Sequence, residues 1–444
     1  MARNRAYVYL ISLVAAVGGL LFGFDIAIIN GALVFLKRQF ALTDFQTEIA
    51  ASALLAGCVF GAGAAGTLSD RLGRRKMLLA SAAIFALSAI AAAVPRNLEE
   101  FTVARFAGGL AIGVASVLSP LYIAEMSPAA IRGRLVSINQ LAIVIGILLA
   151  YFVSWVLSGI GPSSWRWMFA SAAVPSVLFL LALLFVPESP RWLVKEGRNR
   201  EAAGVLSRLH GAAAARAEME EIQAAVATEA GSVRELVRPP LRKPLLIAMA
   251  LAILQQITGV NTILFYGSVI FTEQVGNQTA AAALLANVVI GAVNLVFTVV
   301  ALSIIDKIGR KAVLMLASGG MGMSLVVLGG LFRLNPNAIG PILGAILVFV
   351  AFFAVGMGPG VWVVMSELFP TRLRGRAMAI ASVTLWVACT ALTLTFLSLV
   401  NAITVSGAFW FYAAVCFFTF WFVWRVVPET KGKTLEQIER SWGK

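Results

Sequence analysis

The chain has 444 residues, of which 60% are hydrophobic and only 13% are charged, and its formal net charge is +14. This composition cannot form an apolar core beneath a charged surface, so it excludes a soluble globular protein and predicts a membrane protein with many spans. No interleaved aromatic and basic patch lies outside the apolar segments, so the positive charge does not indicate nucleic-acid binding.

Twelve apolar runs of about 20 residues or more follow one another along the chain and predict membrane-spanning helices. A membrane β-barrel would instead show alternating strands of about 10 residues. The predicted spans cover 7–36, 49–69, 77–95, 101–124, 135–158, 165–186, 244–272, 281–304, 312–332, 339–364, 377–399 and 406–427. The first is too long for a signal peptide and is expected to be retained. The sequence therefore predicts an all-α membrane protein with twelve transmembrane helices.

Three motifs occur twice, which indicates an internal duplication. The paired motifs are DRLGRR at 70–75 and DKIGRK at 306–311, AEMSPAAIRGR at 124–134 and SELFPTRLRGR at 366–376, and PESPRW at 187–192 and PETKGK at 428–433. Each follows the second, fourth or sixth span of its half, so the halves run in parallel about a pseudo-two-fold axis, with a binding cavity between them. We expect an N-terminal six-helix bundle at 1–187, a linker at 188–243 and a C-terminal six-helix bundle at 244–444. Short surface helices are predicted in the linker, which serves either as a solvated tether or as a latch for the inner gate.

The distribution of basic residues predicts the orientation, because cationic loops resist translocation. A cytoplasmic N-terminus places 29 of the 35 lysine and arginine residues on the inside. Both termini are therefore predicted to be cytoplasmic, in a plasma or inner membrane. The net charge follows from this asymmetry and from attraction to anionic lipids.

The repeated loops place carboxylates beside cations at helix ends on the predicted cytoplasmic side. The candidate residues are Asp70, Arg71, Arg74, Glu125, Arg132 and Arg134 in the first half, and Asp306, Arg310, Glu367, Arg374 and Arg376 in the second. Salt bridges between the two sets would hold the inner gate shut while the cavity is open to the outside. The alternative is that these cations only determine topology, but topology needs no carboxylates.

Asp25 is the one carboxylate well inside a predicted span, and Arg105 is the one basic residue buried in a span rather than at its end. An isolated buried charge costs several kcal/mol, so each needs a partner, and each is the natural partner of the other. An ionisable group in the membrane is a functional hypothesis by default. The alternative is a permanently paired structural bridge.

Span seven carries the amides Gln255, Gln256 and Asn261. Amides donate and accept hydrogen bonds, which suits an uncharged ligand rich in hydroxyl groups. On an ideal helix Gln256 and Asn261 would point about 140° apart. We therefore predict local unwinding at Thr258 and Gly259, which would turn both amides toward one cavity. The alternative is that the amides only bond helices together.

The remaining reactive residues do not indicate an enzyme or a cofactor. Cys58, Cys389 and Cys416 all fall within spans without metal-ligand spacing, and His210, the sole histidine, lies in the linker. Neither a metal site nor paired catalytic groups are expected. Asn277 fits a glycosylation signal in an outer loop, but the signal is weak.

Six motifs in order along the chain resemble those of the sugar porter family of the major facilitator superfamily. They are GTLSDRLGRRKML at 66–78, PLYIAEMSPAAIRGRL at 120–135, PESPRWL at 187–193, QQITGVN with FYG at 255–267, GMGPGVWVVMSELFPTRLRGRA at 356–377 and PETKGKTLEQIE at 428–439. The resemblance implies the major facilitator fold and a hexose or pentose substrate. It also implies that Asp25 accepts the proton, because proton-coupled members carry aspartate there, and that Arg105 tunes the pKa of this aspartate.

The resemblance adds further sugar-contacting positions, namely Gln140, Asn294, Trp362 and Trp386. The chain departs from the family at Leu385 and Cys389, where members often have polar residues, and at Ala354, where animal facilitators often have glutamate. We expect a proton-coupled monosaccharide importer that works by alternating access, as a monomer, without converting its substrate. A facilitative uniporter of the same fold is the nearest alternative, and a non-transporting membrane sugar sensor is a more distant one.

Overall fold

A computed structural model describes residues 2–128, 131–227, 233–239, 241–275 and 279–431, and Asn277 therefore lies outside the described residues. The N-terminal half contains helices α1 (Ala2–Gln39), α2 (Asp44–Leu72), α3 (Arg74–Ala93), α4 (Leu98–Met126), α5 (Arg132–Leu157), α6 (Ser164–Ser171) and α7 (Ala173–Leu183). Helices α6 and α7 follow one another with only Ala172 between them and together form the sixth span.

The linker and the C-terminal half are helical as well. The linker contains α8 (Pro190–Lys195), α9 (Asn199–His210), α10 (Ala212–Ala227) and α11 (Val233–Leu236). The second half contains α12 (Arg242–Ile257), α13 (Val260–Val269), α14 (Ala280–Ile308), α15 (Arg310–Leu334), α16 (Ile339–Phe352), α17 (Gly358–Glu367) and α18 (Thr371–Val426). We call the side of the molecule that carries the linker helices the linker face, and the opposite side the far face.

The described residues contain eleven helical segments that are long and apolar enough to cross a membrane. The last of them, Leu373–Val426, has 54 residues, about twice the length that a bilayer needs. It is interrupted at Thr404, where φ is 68° and ψ is 164°. This break separates the predicted eleventh and twelfth spans, so the predicted all-helical fold class with twelve spans is confirmed.

Spans seven and ten are irregular. Span seven breaks between α12 and α13 at Gly259, which has the left-handed φ of 89° that favours glycine. A π-helical turn follows α13 at Ile270–Gln274, and a second joins α16 to α17 at Phe353–Met357. Wide turns of this kind interrupt the regular helical hydrogen bonds, and they occur frequently at functional sites.

Helices α2 and α4 are in contact through their backbones. A Cβ atom on Gly57 or Gly61 of α2, or on Gly109 or Gly113 of α4, would overlap backbone atoms of the facing helix. This glycine seam follows the small-residue spacing that allows membrane helices to approach closely. It fixes α4, which carries Arg105, against α2.

Candidate functional site

Asp25 and Arg105 form the ion pair that their isolation in the sequence predicts. Arg105 Nη1 lies 2.5 Å from Asp25 Oδ1, and Arg105 Nη2 donates to the backbone oxygen of Asp25 at 3.1 Å. The two residues are only 2% and 1% exposed, and the guanidinium lies 5.0 Å from the centre of the Phe169 ring. Asp25 Oδ2 is buried without a hydrogen-bond partner in the described structure. This oxygen is therefore available to carry a proton.

The three amides of span seven form one directed chain of hydrogen bonds. Asn261 Nδ2 donates to Gln256 Oε1 at 2.5 Å, and Gln256 Nε2 donates to Gln255 Oε1 at 3.1 Å. Gln255 Nε2 then donates to the backbone oxygens of Met357 and Gly358 at 2.6 and 3.2 Å. The chain therefore links the break in span seven to the π-helical turn of span ten.

The predicted unwinding explains how these amides meet. Because the backbone turns at Gly259, Asn261 points toward Gln256 instead of away from it, as an unbroken helix would require. Asn261 Nδ2 also donates to Cys389 Sγ at 3.2 Å, so a position that departs from the family pattern is part of this cluster. Both Nδ2 contacts of Asn261 are to protein atoms, which leaves Oδ1 as its acceptor for a ligand.

The other predicted sugar-contacting residues are less closely connected. Trp386 is buried and packs edge-on against Phe22 of the other half, with ring centres 5.4 Å apart. Gln140 and Trp362 are partly exposed, and Asn294 is buried. Within the described part of the chain, no hydrogen bond connects these three residues to the amide chain.

The predicted gate residues pair within each half in this structure. Arg74 contacts Glu125 at 3.1 Å and Asp70 at 3.0 Å in the N-terminal half, and Arg310 contacts Glu367 at 3.1 Å in the C-terminal half. Arg71, Arg132, Arg134 and Arg376 are exposed, Arg374 is partly exposed, and the side chain of Asp306 lies outside the described part. None of the three ion pairs crosses between the halves, so the predicted exchange of salt bridges stays a prediction for the state in which the linker face is closed.

Two glutamates that sequence reasoning missed complete these clusters. Glu188 accepts hydrogen bonds from the backbone N–H groups of Arg74 and Arg75 at 2.9 and 3.1 Å, at the start of α3. Glu429 accepts from the N–H groups of Arg310 and Lys311, both at 3.2 Å, at the start of α15. The signal was available in the sequence, because both glutamates belong to the repeated PES and PET triplets. A carboxylate at a helix N-terminus satisfies free N–H groups and interacts favourably with the helix dipole.

We expect Glu188→Ala to lower stability, because it leaves the first N–H groups of α3 without their acceptor. The loss should be about 1 to 2 kcal/mol, measured as a lower apparent melting temperature of the purified protein in detergent. Glu196→Ala, at an exposed glutamate a few residues away, is the matched control and should melt like the unmodified protein. Equal melting temperatures for the two variants would contradict the capping role of Glu188.

Polar contacts between the halves close the far face. Lys37 Nζ pairs with Glu273 at 3.0 Å, Asn401 Nδ2 donates to Asp44 at 2.9 Å, and Ser398 donates to Glu48 from its N–H at 2.7 Å and from its Oγ at 2.8 Å. In each contact, one residue belongs to the N-terminal half and the other belongs to the C-terminal half. Glu48 is fully buried by this contact. The halves are therefore fastened together at the far face, whereas the gate residues of the linker face pair within their own halves.

Residues 11–442 match the protein family described as "Sugar (and other) transporter". The arabinose-proton symporter of Bacillus subtilis (strain 168) is 40% identical over 448 residues, covering 99% of this chain and 96% of the relative. The D-xylose-proton symporter of Escherichia coli (strain K12) is 37% identical over 477 residues, covering 99% and 96%.

Solved structures of the xylose transporter XylE from E. coli share the fold over nearly the whole chain. Its partially occluded inward-open conformation has a TM-score of 0.86 at 34% identity, covering 97% of this chain and 100% of that one. XylE bound to 6-bromo-6-deoxy-D-glucose has a TM-score of 0.83 at 35% identity, covering 99% and 100%.

Proposed function

Because the chain belongs to the sugar porter family of the major facilitator superfamily, we propose that it imports a monosaccharide, either a pentose or a hexose, together with protons. Alternating access moves the substrate, and no chemical conversion takes place. The observation that carries the proposal is the buried pair of Asp25 and Arg105, in which one carboxylate oxygen has no hydrogen-bond partner in the described structure. The same protein contains the amide cluster of span seven, which suits a ligand rich in hydroxyl groups.

We assign the linker face to the cytoplasm, because cationic loops resist translocation and the predicted inside carries 29 of the 35 basic residues. With this orientation both termini are cytoplasmic and the membrane is the plasma or inner membrane. The far-face contacts then close the outside, so the structure corresponds to an inward-facing state. One chain contains both halves of the cavity, so a monomer is sufficient for transport.

Charge balance explains how a proton is coupled to movement. When Asp25 is ionised, its charge and that of Arg105 cancel, which makes burial of both tolerable. Protonation on Oδ2 removes this cancellation, weakens the 2.5 Å contact and leaves a buried cation. A buried unpaired charge costs several kcal/mol, so the protonated carrier favours a different arrangement of α1 and α4. We assign Asp25 as the proton acceptor and Arg105 as its tuning partner.

The amide chain is the proposed centre of the sugar site. Gln255, Gln256 and Asn261 are held by one another, so their orientation is set before a ligand arrives. A sugar hydroxyl can donate to Asn261 Oδ1 and accept from Gln256 Nε2. Gln140, Asn294, Trp362 and Trp386 are assigned as flanking contacts, the tryptophans offering ring surfaces to the C–H groups of the sugar.

The direct test is sugar-driven proton movement. We expect addition of the transported sugar to de-energised cells that express the protein to raise the pH of the medium, since each sugar enters with a proton. D-xylose, L-arabinose, D-glucose and D-galactose are scanned, with mannitol as the control that should give no change. Uptake of labelled sugar without a pH change would identify a uniporter and refute proton coupling.

A further inference from the structure

Asn30 is a fully buried amide on α1 that forms several hydrogen bonds to the opposite half. Its Nδ2 donates to the backbone oxygens of Leu264 and Ile263 at 2.9 and 3.3 Å. Its Oδ1 accepts from the N–H of Ser268 at 2.7 Å and from Asn287 Nδ2 at 3.2 Å. The Ser268 hydroxyl also donates to the backbone oxygen of Asn30. Residues more than 230 positions apart in sequence thus meet around one side chain.

The contacts are arranged on α13 in a specific way. The Leu264 carbonyl and the Ser268 N–H are four residues apart, so they are the two partners of one α-helical hydrogen bond. The Asn30 carboxamide bonds to both of them, donating to the first and accepting from the second. Tyr151 of α5 donates to the same Leu264 carbonyl at 3.1 Å. The π-helical turn at Ile270–Gln274 begins two residues after Ser268.

The opposite half leaves room for this contact. A Cβ atom on Gly267 would lie 2.5 Å from Asn287 Oδ1 and 3.1 Å from Asn30 Nδ2. Any larger residue would therefore separate the two amides. Asn287 is itself fully buried on α14, so Asn30 brings a third helix into the contact.

We propose that Asn30 is a positioning residue that connects the proton site on α1 to α13, and thereby sets how readily the far face opens. This inference rests on the proposed function, since it assigns Asn30 a part in the same transport cycle. Asn30 lies five residues from Asp25 on one unbroken helix, a separation of about 7.5 Å along the axis. Arg105 binds both the side chain and the backbone of Asp25, so a change in this pair moves the helix that carries Asn30.

The chemistry of the interface gives Asn30 this control. Opening the far face separates α1 from α13 and breaks the Asn30 contacts, and a buried amide left without partners is costly. Lys37 and Glu273 extend the same connection to the far ends of the two segments, where both side chains are partly exposed. The buried part of the connection is therefore expected to dominate the opening equilibrium.

The test measures the distance across the far face by pulsed electron paramagnetic resonance in lipid nanodiscs. Spin labels are attached to Phe45→Cys and Ala402→Cys, two exposed positions in opposite halves. The native cysteines are all buried, so the labels react with the introduced ones. Asn30→Ala should raise the ratio of open to closed far face about tenfold, and Asn30→Asp, which replaces the donor with a carboxylate oxygen facing the Leu264 and Ile263 carbonyl oxygens, should raise it at least as much. Asn139→Ala, at a buried asparagine of α5 without a described bond to the other half, is the matched control and should leave the ratio unchanged.

Adding Asp25→Asn to each background separates positioning from a purely structural role. We expect Asp25→Asn to change the ratio at least threefold more in the unmodified background than in the Asn30→Ala background, because Asn30→Ala removes the contact that connects Asp25 to α13. The proposal is overturned if Asn30→Ala matches Asn139→Ala, or if the effects of Asp25→Asn and Asn30→Ala simply multiply. If Asn30→Ala does not fold, Asn30→Asp, which has nearly the same volume, gives the same comparison. The distance measurement needs neither sugar nor a proton gradient, so it can fail or succeed separately from the pH test of symport.

Discussion

Asp25→Asn will abolish accumulation of sugar against a gradient and leave exchange of sugar across the membrane largely intact. Asparagine keeps the shape of the side chain and can still accept a hydrogen bond from Arg105, but it cannot take up a proton. For one proton, a membrane potential of 100 mV and one pH unit supply about 2.3 and 1.4 kcal/mol, which together support roughly 500-fold accumulation. The variant should reach a ratio of about one.

Energised membrane vesicles measure this ratio directly, and counterflow of labelled sugar measures exchange without a proton gradient. Glu99→Gln is the matched control, because Glu99 is an exposed carboxylate at the start of α4, the helix that carries Arg105. It should accumulate sugar like the unmodified protein. Full accumulation by Asp25→Asn would rule out this carboxylate as the coupling group.

Gln256→Ala will weaken sugar binding about 100-fold. Gln256 is the middle member of the amide chain, so its loss removes one ligand contact, leaves Gln255 Oε1 without a partner and leaves Asn261 Nδ2 with only the Cys389 sulfur. Each buried polar group left unpaired costs about 1 to 3 kcal/mol, and a site built to bond hydroxyl groups loses much of its selectivity with such a contact.

Binding is measured by calorimetry on the purified protein with the sugar that gives the pH change. Gln223→Ala is the matched control, since Gln223 is an exposed glutamine of the linker helix α10. It should bind sugar normally. Unchanged affinity in Gln256→Ala would mean that the amide chain only holds span seven to span ten.

Much of the fold could be predicted from the sequence, because a lipid core requires long apolar helices. The predicted second span at 49–69 corresponds to a helix at Asp44–Leu72. The polar N-terminal end stays helical because a capping box at Thr43 and Gln46 satisfies the first N–H groups, which is a local effect that hydropathy does not detect. The break at Gly259 was predictable for a different reason, since two amides on one span had to face the same way.

The candidate site was only partly predictable. Charge isolation was enough to pair Asp25 with Arg105, because each had a single possible partner in the membrane. Asn30 gave no such signal, since an asparagine in an apolar helix is compatible with many partners and only the packing of the two halves brings it to Leu264. The gate clusters depend on conformation as well. This state contains ion pairs within each half, whereas the predicted pairs between the halves belong to the state with a closed linker face.

The glycine seam between α2 and α4 has a mechanical consequence. Two helices that touch through their backbones cannot slide past each other, so they swing as a single lever. Arg105 of α4 and Glu48 of α2 both lie on the far-face side of the seam, and the Glu48 carboxylate accepts hydrogen bonds from Ser398 of the opposite half. A small displacement at the guanidinium is therefore transmitted to the contact between Glu48 and Ser398 through two closely packed helices.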